Sequence, residues 1–284
     1  MNNKLETLTN LFEGNEIRSI WDSEKEEYYF SVVDVINALA EPTNPRDYWY
    51  QLKKRLSEEE KSEVSTSCRQ LKMRAKDGKM RETDTLDTTG ILRLIESVPS
   101  PKAEPFKMWL ASLGKERIDE VFDPEIAANR VVNYYRAKGY SDEWIKQRLI
   151  RIVDRYKLTD IWKDGGIDKP VEFALLTNEI YKTWSGMTAK EYKEYKGLRK
   201  ESLRDNMDNI EVSLTDISEE VTKRLAKKTK PKGLKENIIV ARQGGQVAKN
   251  TIDEIENLLG ESVVTNQNNL NYKYIDENKK IENK

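Results

Sequence analysis

Residues 31–56, SVVDVINALAEPTNPRDYWYQLKKRL, contain two consecutive helix signals. Ser31 can cap a first helix, with Asp34 three residues later, and the valine, isoleucine and leucine side chains that follow supply an apolar face. Asn44 followed by Pro45 is a helix N-cap with proline at the first helical position, so a second helix begins there. We expect these two helices to form the centre of an N-terminal domain.

Two hairpin patterns flank the helices. Residues 16–21 and 27–30 are rich in β-branched and aromatic side chains and are separated by a polar loop, which predicts a first hairpin. In residues 65–85, apolar and basic side chains alternate around Asp77-Gly78, a pair that favours a type I′ turn. We therefore expect a second hairpin with a basic tip. Two further predicted helices, at residues 88–97 and about 101–121, complete the core of this domain.

The sequence from residue 124 to residue 230 contains helix signals and no strand pattern. One predicted helix, residues 198–228, carries apolar side chains spaced alternately by four and three residues. This narrow seam is typical of a coiled coil, and we expect it to mediate a modest self-association. The alternative is that this helix folds back on the predicted helix at 170–184 within one chain. The seam consists of Leu203, Met207, Ile210, Leu214, Ile217 and Val221.

The predicted fold class is an α+β N-terminal domain, with two β-hairpins and four helices, followed by an all-α helical region. We interpret Gly244-Gly245 as a turn or a helix end. The domains we expect are an N-terminal tail at 1–12, the α+β domain at 13–122, a helical domain at 123–228 that ends in the coiled-coil-like helix, and a segment at 229–284 with a basic linker, a short helix at 251–259 and a disordered tail of about 20 residues.

The composition limits the chemistry. The chain has 49 basic and 50 acidic residues and a net charge of −1, so a nucleic-acid surface must be a local patch. Histidine is absent and Cys68 is the single cysteine, which excludes catalysis by histidine, Cys/His zinc sites and an intrachain disulfide. Glu191-Tyr192-Lys193 has the Glu-x-Lys form of carboxylate nucleases, but it lies in a predicted helix with no strand carboxylate beside it. We expect a cytoplasmic protein with no catalytic residue, metal ion, cofactor or membrane contact.

Two basic clusters are candidate DNA-binding surfaces. Residues 69–81 contain six basic residues and one acid, a net charge of +5 in 13 residues. A two-stranded ribbon is narrow enough to enter the major groove or follow phosphates. The second cluster, on the helix after Pro45, mixes cations with aromatic rings that can stack on bases. The alternative is that both clusters are solvated surfaces, with Trp49 in the core. The candidate residues are Arg46, Trp49, Lys53, Lys54, Arg55, Arg69, Lys72, Arg74, Lys76, Lys79 and Arg81.

The order of these motifs resembles known families. Residues 31–56 and the run CRQLKMRAKDGKMRETDTLDTTGILRLIES that begins at Cys68 resemble the BRO-N domain of baculovirus repeated-ORF proteins and phage antirepressors. The runs EFALLTNEIYKTWSGMTAKEYKEYKG from residue 172 and VARQGGQVAKNTIDEIENLLGESVVT from residue 240 resemble the bacterial DNA-damage-inducible protein D family. The resemblance covers residues 13–265.

The resemblance implies DNA binding by the BRO-N domain and, for the damage-inducible members, a role in the SOS response through recombinase filaments. It supplies no catalytic residue. We therefore expect a non-enzymatic regulator whose partners are DNA, single- or double-stranded, a recombinase filament and a second copy of the chain. The alternative is an antirepressor-like protein that antagonises a recombinase filament or a phage repressor without contacting DNA. The damage-inducible type of the second half weakens the case for repressor binding.

Overall fold

A computed structural model describes residues 17–60, 67–75 and 77–269, with only the backbone described for residues 57–60. The described chain forms two compact units, which divide after Tyr134. The first unit contains β1 (Ser19–Asp22), β2 (Glu27–Ser31), α1 (Val32–Ala40), α2 (Pro45–Glu60), β3 (Arg69–Arg74), β4 (Met80–Asp87), α3 (Thr88–Ser97), α4 (Glu104–Phe122) and most of α5 (Pro124–Ala137). The second contains α6 (Asp142–Asp164), α7 (Pro170–Ser185), α8 (Ala189–Tyr195), α9 (Asn209–Thr229) and α10 (Gly233–Leu259). No helix among the described residues is long and apolar enough to cross a membrane.

The four strands form one antiparallel sheet in the order β1-β2-β4-β3, so β1 and β3 are its edges. The strands β1 and β2 pair as the first predicted hairpin, and β3 and β4 pair as the second. The predicted fold class, an α+β domain followed by a helical region, is therefore confirmed. The predicted domain boundary at 122/123 falls between α4 and α5, twelve residues before the division between the compact units, and it stays a prediction.

The tip of the second hairpin differs from the predicted type I′ turn. Gly78 has a positive φ of 80°, whereas Asp77 is not among the positive-φ residues, and a type I′ turn needs both. The Ala75 N–H donates to the Lys79 carbonyl and the Gly78 N–H donates to the Ala75 carbonyl, both at 2.8 Å. This pattern is typical of a three-residue loop that ends in a left-handed glycine. Lys76 lies outside the described residues.

The core of the first unit lies between one face of the sheet and helices α1 to α4. Ser31 caps α1 as predicted, because its Oγ accepts a hydrogen bond from the Asp34 N–H at 3.3 Å. Phe30 and Leu86, opposite each other on β2 and β4, are buried in this core. Every fully enclosed member of the core precedes residue 107, and α5 buries no side chain. The core of the N-terminal domain is therefore complete without α5.

In the second unit, α10 packs along both α9 and α7. Gly244 and Gly245 are buried inside α10, so the interpretation as a turn or helix end is wrong. A Cβ on Gly244 would lie 2.0 Å from Thr222 Oγ1 on α9, and one on Gly245 would lie 2.7 Å from Thr183 Cβ on α7. The two glycines therefore allow the helices to approach closely. The first half of α10 also replaces most of the basic linker that the sequence predicts.

The predicted coiled-coil seam does not lie on one helix. The helix expected at 198–228 begins only at Asn209, after the N-cap Asp208, so Leu203 and Met207 precede it. Both are buried in the core of the second unit together with Leu214. Ile210 and Ile217 are 37% and 44% exposed, and Val221 is half-buried. A continuous six-residue seam is therefore wrong, because half of its members pack inside the chain. α9 packs chiefly on α10 and only slightly on α7, the partner named in the alternative.

A buried polar network ties the chain after α10 to this core. Lys196 and Glu211 have fully buried side chains, and Lys196 Nζ lies 2.9 Å from the Glu211 carboxylate. Lys196 Nζ also donates to the Gln267 carbonyl at 2.8 Å, and the Asn269 N–H donates to Asn206 Oδ1 at 3.0 Å. The first part of the predicted disordered tail is therefore hydrogen-bonded to the core up to Asn269. Residues 270–284, like the predicted N-terminal tail at 1–12, lie outside the described residues.

Candidate nucleic-acid interface

The two predicted basic clusters meet at Asp84 on β4. Asp84 Oδ2 accepts a hydrogen bond from Trp49 Nε1 of α2 at 2.7 Å and lies 3.5 Å from Lys53 Nζ, also of α2. Asp84 Oδ1 accepts a hydrogen bond from Gln70 Nε2 of β3 at 3.2 Å. One carboxylate therefore fastens α2 to the basic hairpin and holds Lys53 beside it.

The charge of Asp84 is stabilised by these contacts. Burial alone would raise the pKa of Asp84, but the hydrogen bonds from Trp49 and Gln70 and the charge of Lys53 outweigh it, so the pKa is lowered. A carboxylate whose folded pKa is lowered contributes stability above its unfolded pKa, and that contribution is lost as the pH falls through the folded value. The junction between α2 and the hairpin is therefore expected to weaken only in acid.

The pairing register divides the hairpin cations between two faces. Lys72 and Arg74 lie on the same face as Asp84, because side chains alternate along each strand. Arg69 and Arg81 lie on the other face. All four side chains are exposed, and so is Lys79 at the tip. Since β3 is an edge strand, both faces are accessible around the same edge.

Four of the hairpin cations are not neutralised by an ion pair of the fold. Within the described part of the chain, Arg69, Lys72, Arg74 and Lys79 form no ion pair. Arg81, by contrast, pairs with Asp77 at 2.5 Å. Of the four unpaired cations, Arg69 lies over the Tyr29 ring, so Lys72, Arg74 and Lys79 are the predicted hairpin residues best suited to bind an external anion.

The helix α2 presents a different aromatic ring from the one predicted. Trp49 is only 4% exposed and belongs to the core, so its assignment as a stacking surface is wrong and the core alternative is correct for this residue. Tyr50, which is 67% exposed, shares the outer face of α2 with Arg46 and Lys54, four residues before and after it. That spacing could have identified Tyr50 from the sequence. Arg55 donates a hydrogen bond to the main chain at the end of α3, which gives it a structural contact.

Glu191, from the Glu-x-Lys sequence, has a structural role in a helix cap, and the environment of Cys68 lowers the reactivity of its thiol. Glu191 Oε2 accepts hydrogen bonds from the Thr188 N–H at 2.7 Å and from Thr188 Oγ1 at 2.8 Å, which closes the N-terminal cap of α8. Burial raises the pKa of the Cys68 thiol to about 11, which disfavours the reactive thiolate. Among the described residues, no group of three or more cysteine, aspartate or glutamate side chains is placed to hold a metal ion.

These features define a two-domain protein in which an α+β domain with an exposed basic hairpin precedes a helical domain. The BRO family N-terminal domain matches residues 16–122, and the DinD C-terminal domain matches residues 145–272. The chain therefore contains these two domains, in agreement with the resemblance seen in the sequence, and both domain families are regulatory. No curated protein matches this chain.

Proposed function

We propose that this chain is a non-enzymatic, cytoplasmic regulator that binds DNA through its first unit and acts in the DNA-damage (SOS) response. The observation that supports this proposal most directly is the group of exposed hairpin cations Lys72, Arg74 and Lys79, which form no ion pair within the described chain. In a chain whose net charge is −1, a local group of cations that the fold does not neutralise favours an anionic partner. The regulatory character of both domain families supports a non-enzymatic role.

The geometry suggests how DNA is held. The ribbon of β3 and β4 carries Lys72 and Arg74 on the face that α2 shares through Asp84. Arg46 and Lys54 on the outer face of α2 extend the positive surface, and Tyr50 between them is an exposed ring. Phosphates bound by such cations release counterions, so affinity is expected to fall steeply with salt.

The test removes Lys72, Arg74 and Lys79 together. We expect the triple substitution Lys72→Ala, Arg74→Ala and Lys79→Ala to weaken binding to all DNA sequences. The slope of log K against log salt should become shallower by about 0.9 for each lost contact to duplex phosphates, or about 0.7 for single strands. Fluorescence anisotropy over a salt series measures both quantities.

A matched control removes the same charge from the second unit. Lys146, Lys190 and Lys235 are exposed and form no ion pair among the described residues, so replacing all three with alanine gives the same net charge. This control should keep the wild-type slope. If the hairpin variant also keeps it, the hairpin is not the phosphate contact and the proposal is wrong.

A second candidate function is the antagonism of a recombinase filament or a repressor without DNA contact. An exposed apolar surface on α4 favours it, because Ile118, Val121 and Phe122 are 61%, 78% and 84% exposed. Large apolar side chains exposed together often mark protein interaction sites. This candidate predicts that binding to a recombinase filament survives the triple hairpin substitution and is lost on Phe122→Asp. Co-sedimentation with preformed filaments separates it from the DNA-binding proposal.

A further inference from the structure

A cavity of about 380 Å³ lies on the side of the sheet that faces away from the core of the first unit. Side chains alternate along β2, so Tyr29 points away from the core that encloses Phe30. Tyr29 lies opposite Asp87 in the sheet, and Arg69 lies opposite Thr85 on the neighbouring edge strand. The lining residues are Lys25, Glu27, Tyr29, Ser67, Arg69 and Asp87.

One wall of the cavity is a flat cation held over an aromatic ring. The Arg69 guanidinium carbon lies 5.1 Å from the centre of the Tyr29 ring. Tyr29 is only 4% exposed, whereas Arg69 is exposed and forms no ion pair within the described chain. A guanidinium plane fixed on one side by a ring offers its other side for stacking, and unpaired nucleobases stack on arginine in this way. The accessible stacking surface is therefore Arg69 itself.

The charges around the cavity disfavour a phosphate and suit a base edge. The lining contains the cations Lys25 and Arg69 and the acids Glu27 and Asp87, so their formal charges cancel. Asp87 Oδ1 accepts a hydrogen bond from the Gly90 N–H at 2.8 Å, which caps α3. Asp87 Oδ2 is not used by this cap. Carboxylates accept hydrogen bonds from the exocyclic amino groups of cytosine and adenine. Thymine has no such group.

We propose that this cavity binds one unpaired, amino-bearing nucleobase of single-stranded DNA. The base stacks on Arg69 and donates its amino protons to the Asp87 carboxylate. This inference rests on the proposed function, because the backbone on either side of the base is held by the hairpin cations. Arg69 and Lys72 lie on opposite faces of the edge strand β3, so a single strand held on one face reaches the cavity around that edge. A base inside a duplex cannot enter, because it is stacked between its neighbours and its amino group is paired.

The first experiment compares single-stranded oligonucleotides of equal length that contain cytosine, thymine or only abasic sites. All three carry the same phosphates, so the proposed phosphate contacts act on each of them equally. We expect the cytosine oligonucleotide to bind about tenfold more tightly than the abasic one, since base stacking on a protein surface typically gives an effect of that size. Thymine should fall between them. Equal affinity for the cytosine and abasic oligonucleotides would overturn the proposal while leaving phosphate binding intact.

A charge-conserving substitution tests the role of Arg69. Arg69→Lys keeps the positive charge but removes the flat stacking surface. It should bring the affinity for the cytosine oligonucleotide close to that for the abasic one without changing the salt slope. Arg81→Lys, on the same face of the hairpin, is the matched control and should keep the full preference. The inference is wrong if Arg69→Lys also keeps the full preference for the cytosine oligonucleotide.

Free deoxycytidine tests the cavity without any phosphate. At millimolar concentration it should perturb the NMR signals of Tyr29 in the wild type and leave those of Tyr29 in Arg69→Lys unchanged. If no oligonucleotide binds but deoxycytidine does, the DNA-binding function fails and the base site stands. If neither the oligonucleotides nor deoxycytidine bind, both proposals fail.

Discussion

Cys68 lies where α2 meets the basic hairpin, and its environment determines its chemistry. Burial is the largest cause that raises the pKa of the thiol, and the negative charge of Asp84 raises it further. Lys53 lowers the pKa, but its effect is smaller, and the result is a pKa of about 11. The thiol therefore stays protonated at neutral pH even though the residue is only half-buried.

We expect the alkylation of Cys68 by iodoacetamide at pH 8 to be about a hundredfold slower in the folded protein than in urea, because only the thiolate reacts and an ordinary cysteine has a pKa of about 8.5. The folded-state rate should keep rising as the pH increases through 9 and 10. Mass spectrometry measures the rate without ambiguity, since Cys68 is the single cysteine. Similar rates in the folded protein and in urea would mean that the thiol has an ordinary pKa.

Trp49 shows what local sequence can and cannot predict at this scale. Its neighbours in the sequence are tyrosines and cations, which is also the composition of a base-stacking surface. Its role is decided by Asp84, 35 residues later, which accepts the indole N–H while the ring packs in the core. The local pattern predicts the helix correctly. It could not identify the buried ring, because burial depends on a strand that is distant in the sequence.

The packing of α10 depends on the absence of two side chains. We expect Gly244→Ala to destabilise the second unit by about 2 kcal/mol or more, because the added Cβ would lie 2.0 Å from Thr222 Oγ1 and the helices would have to separate. The better helix propensity of alanine offsets only about 1 kcal/mol of this cost. Thermal and urea unfolding measure the change.

The neighbouring Gln243→Ala is a matched control, because residue 243 is on the exposed side of the same helix. It should change stability by no more than about 0.5 kcal/mol. If Gly244→Ala is equally mild, α10 does not approach α9 as closely as the structure places it.

The start of α9 shows why the apolar spacing predicts too long a helix. Leu203 and Met207 continue the spacing of four and three residues although they lie before the helix, so spacing alone could not exclude them. The sequence does contain the correct boundary signal. The Asp208 side chain accepts the Glu211 N–H at 2.8 Å and the Glu211 side chain accepts the Asp208 N–H at 2.8 Å, which is the reciprocal pattern of a capping box.

Substitutions on the two sides of α9 separate intrachain packing from self-association. Leu214 is 2% exposed, so Leu214→Asp buries a charge without a partner, and we expect a loss of about 4 kcal/mol or more without a change in molecular mass. Ile217 is 44% exposed, and Ile217→Asp should leave the protein folded. Light scattering and urea unfolding of both variants give the answer. If Ile217→Asp converts a dimer to a monomer, the outer side of α9 mediates self-association after all.

For the whole molecule, the sequence predicts the fold class of each part of the chain better than it predicts the binding sites. Alternating strands and N-caps before residue 97, and the run of helical signals after residue 124, were sufficient for the fold class because both depend on local periodicity. The cavity beside Arg69 has no linear signature. Its lining residues come from two separate segments of the chain, residues 25–29 and 67–87, which the pairing of β2 with β4 brings together. Such a site is defined by the strand order, which the sequence does not state.

The first unit should fold and bind DNA without the helical half, and residues 1–122 should be sufficient. The enclosed core ends at Phe106, and α5 buries no side chain, so removing α5 opens no cavity. The truncation removes Arg130, which pairs with Glu120, but Arg117 still pairs with Glu120 at 2.7 Å. We expect residues 1–122 and residues 1–134 each to give the circular dichroism spectrum of a folded α+β domain. The two fragments should have similar unfolding midpoints, and both should bind DNA with the salt slope of the full chain. If 1–134 folds and 1–122 does not, α5 is part of the domain and the boundary lies after Tyr134. If both fragments fold but neither binds DNA, the second unit contributes to the interface.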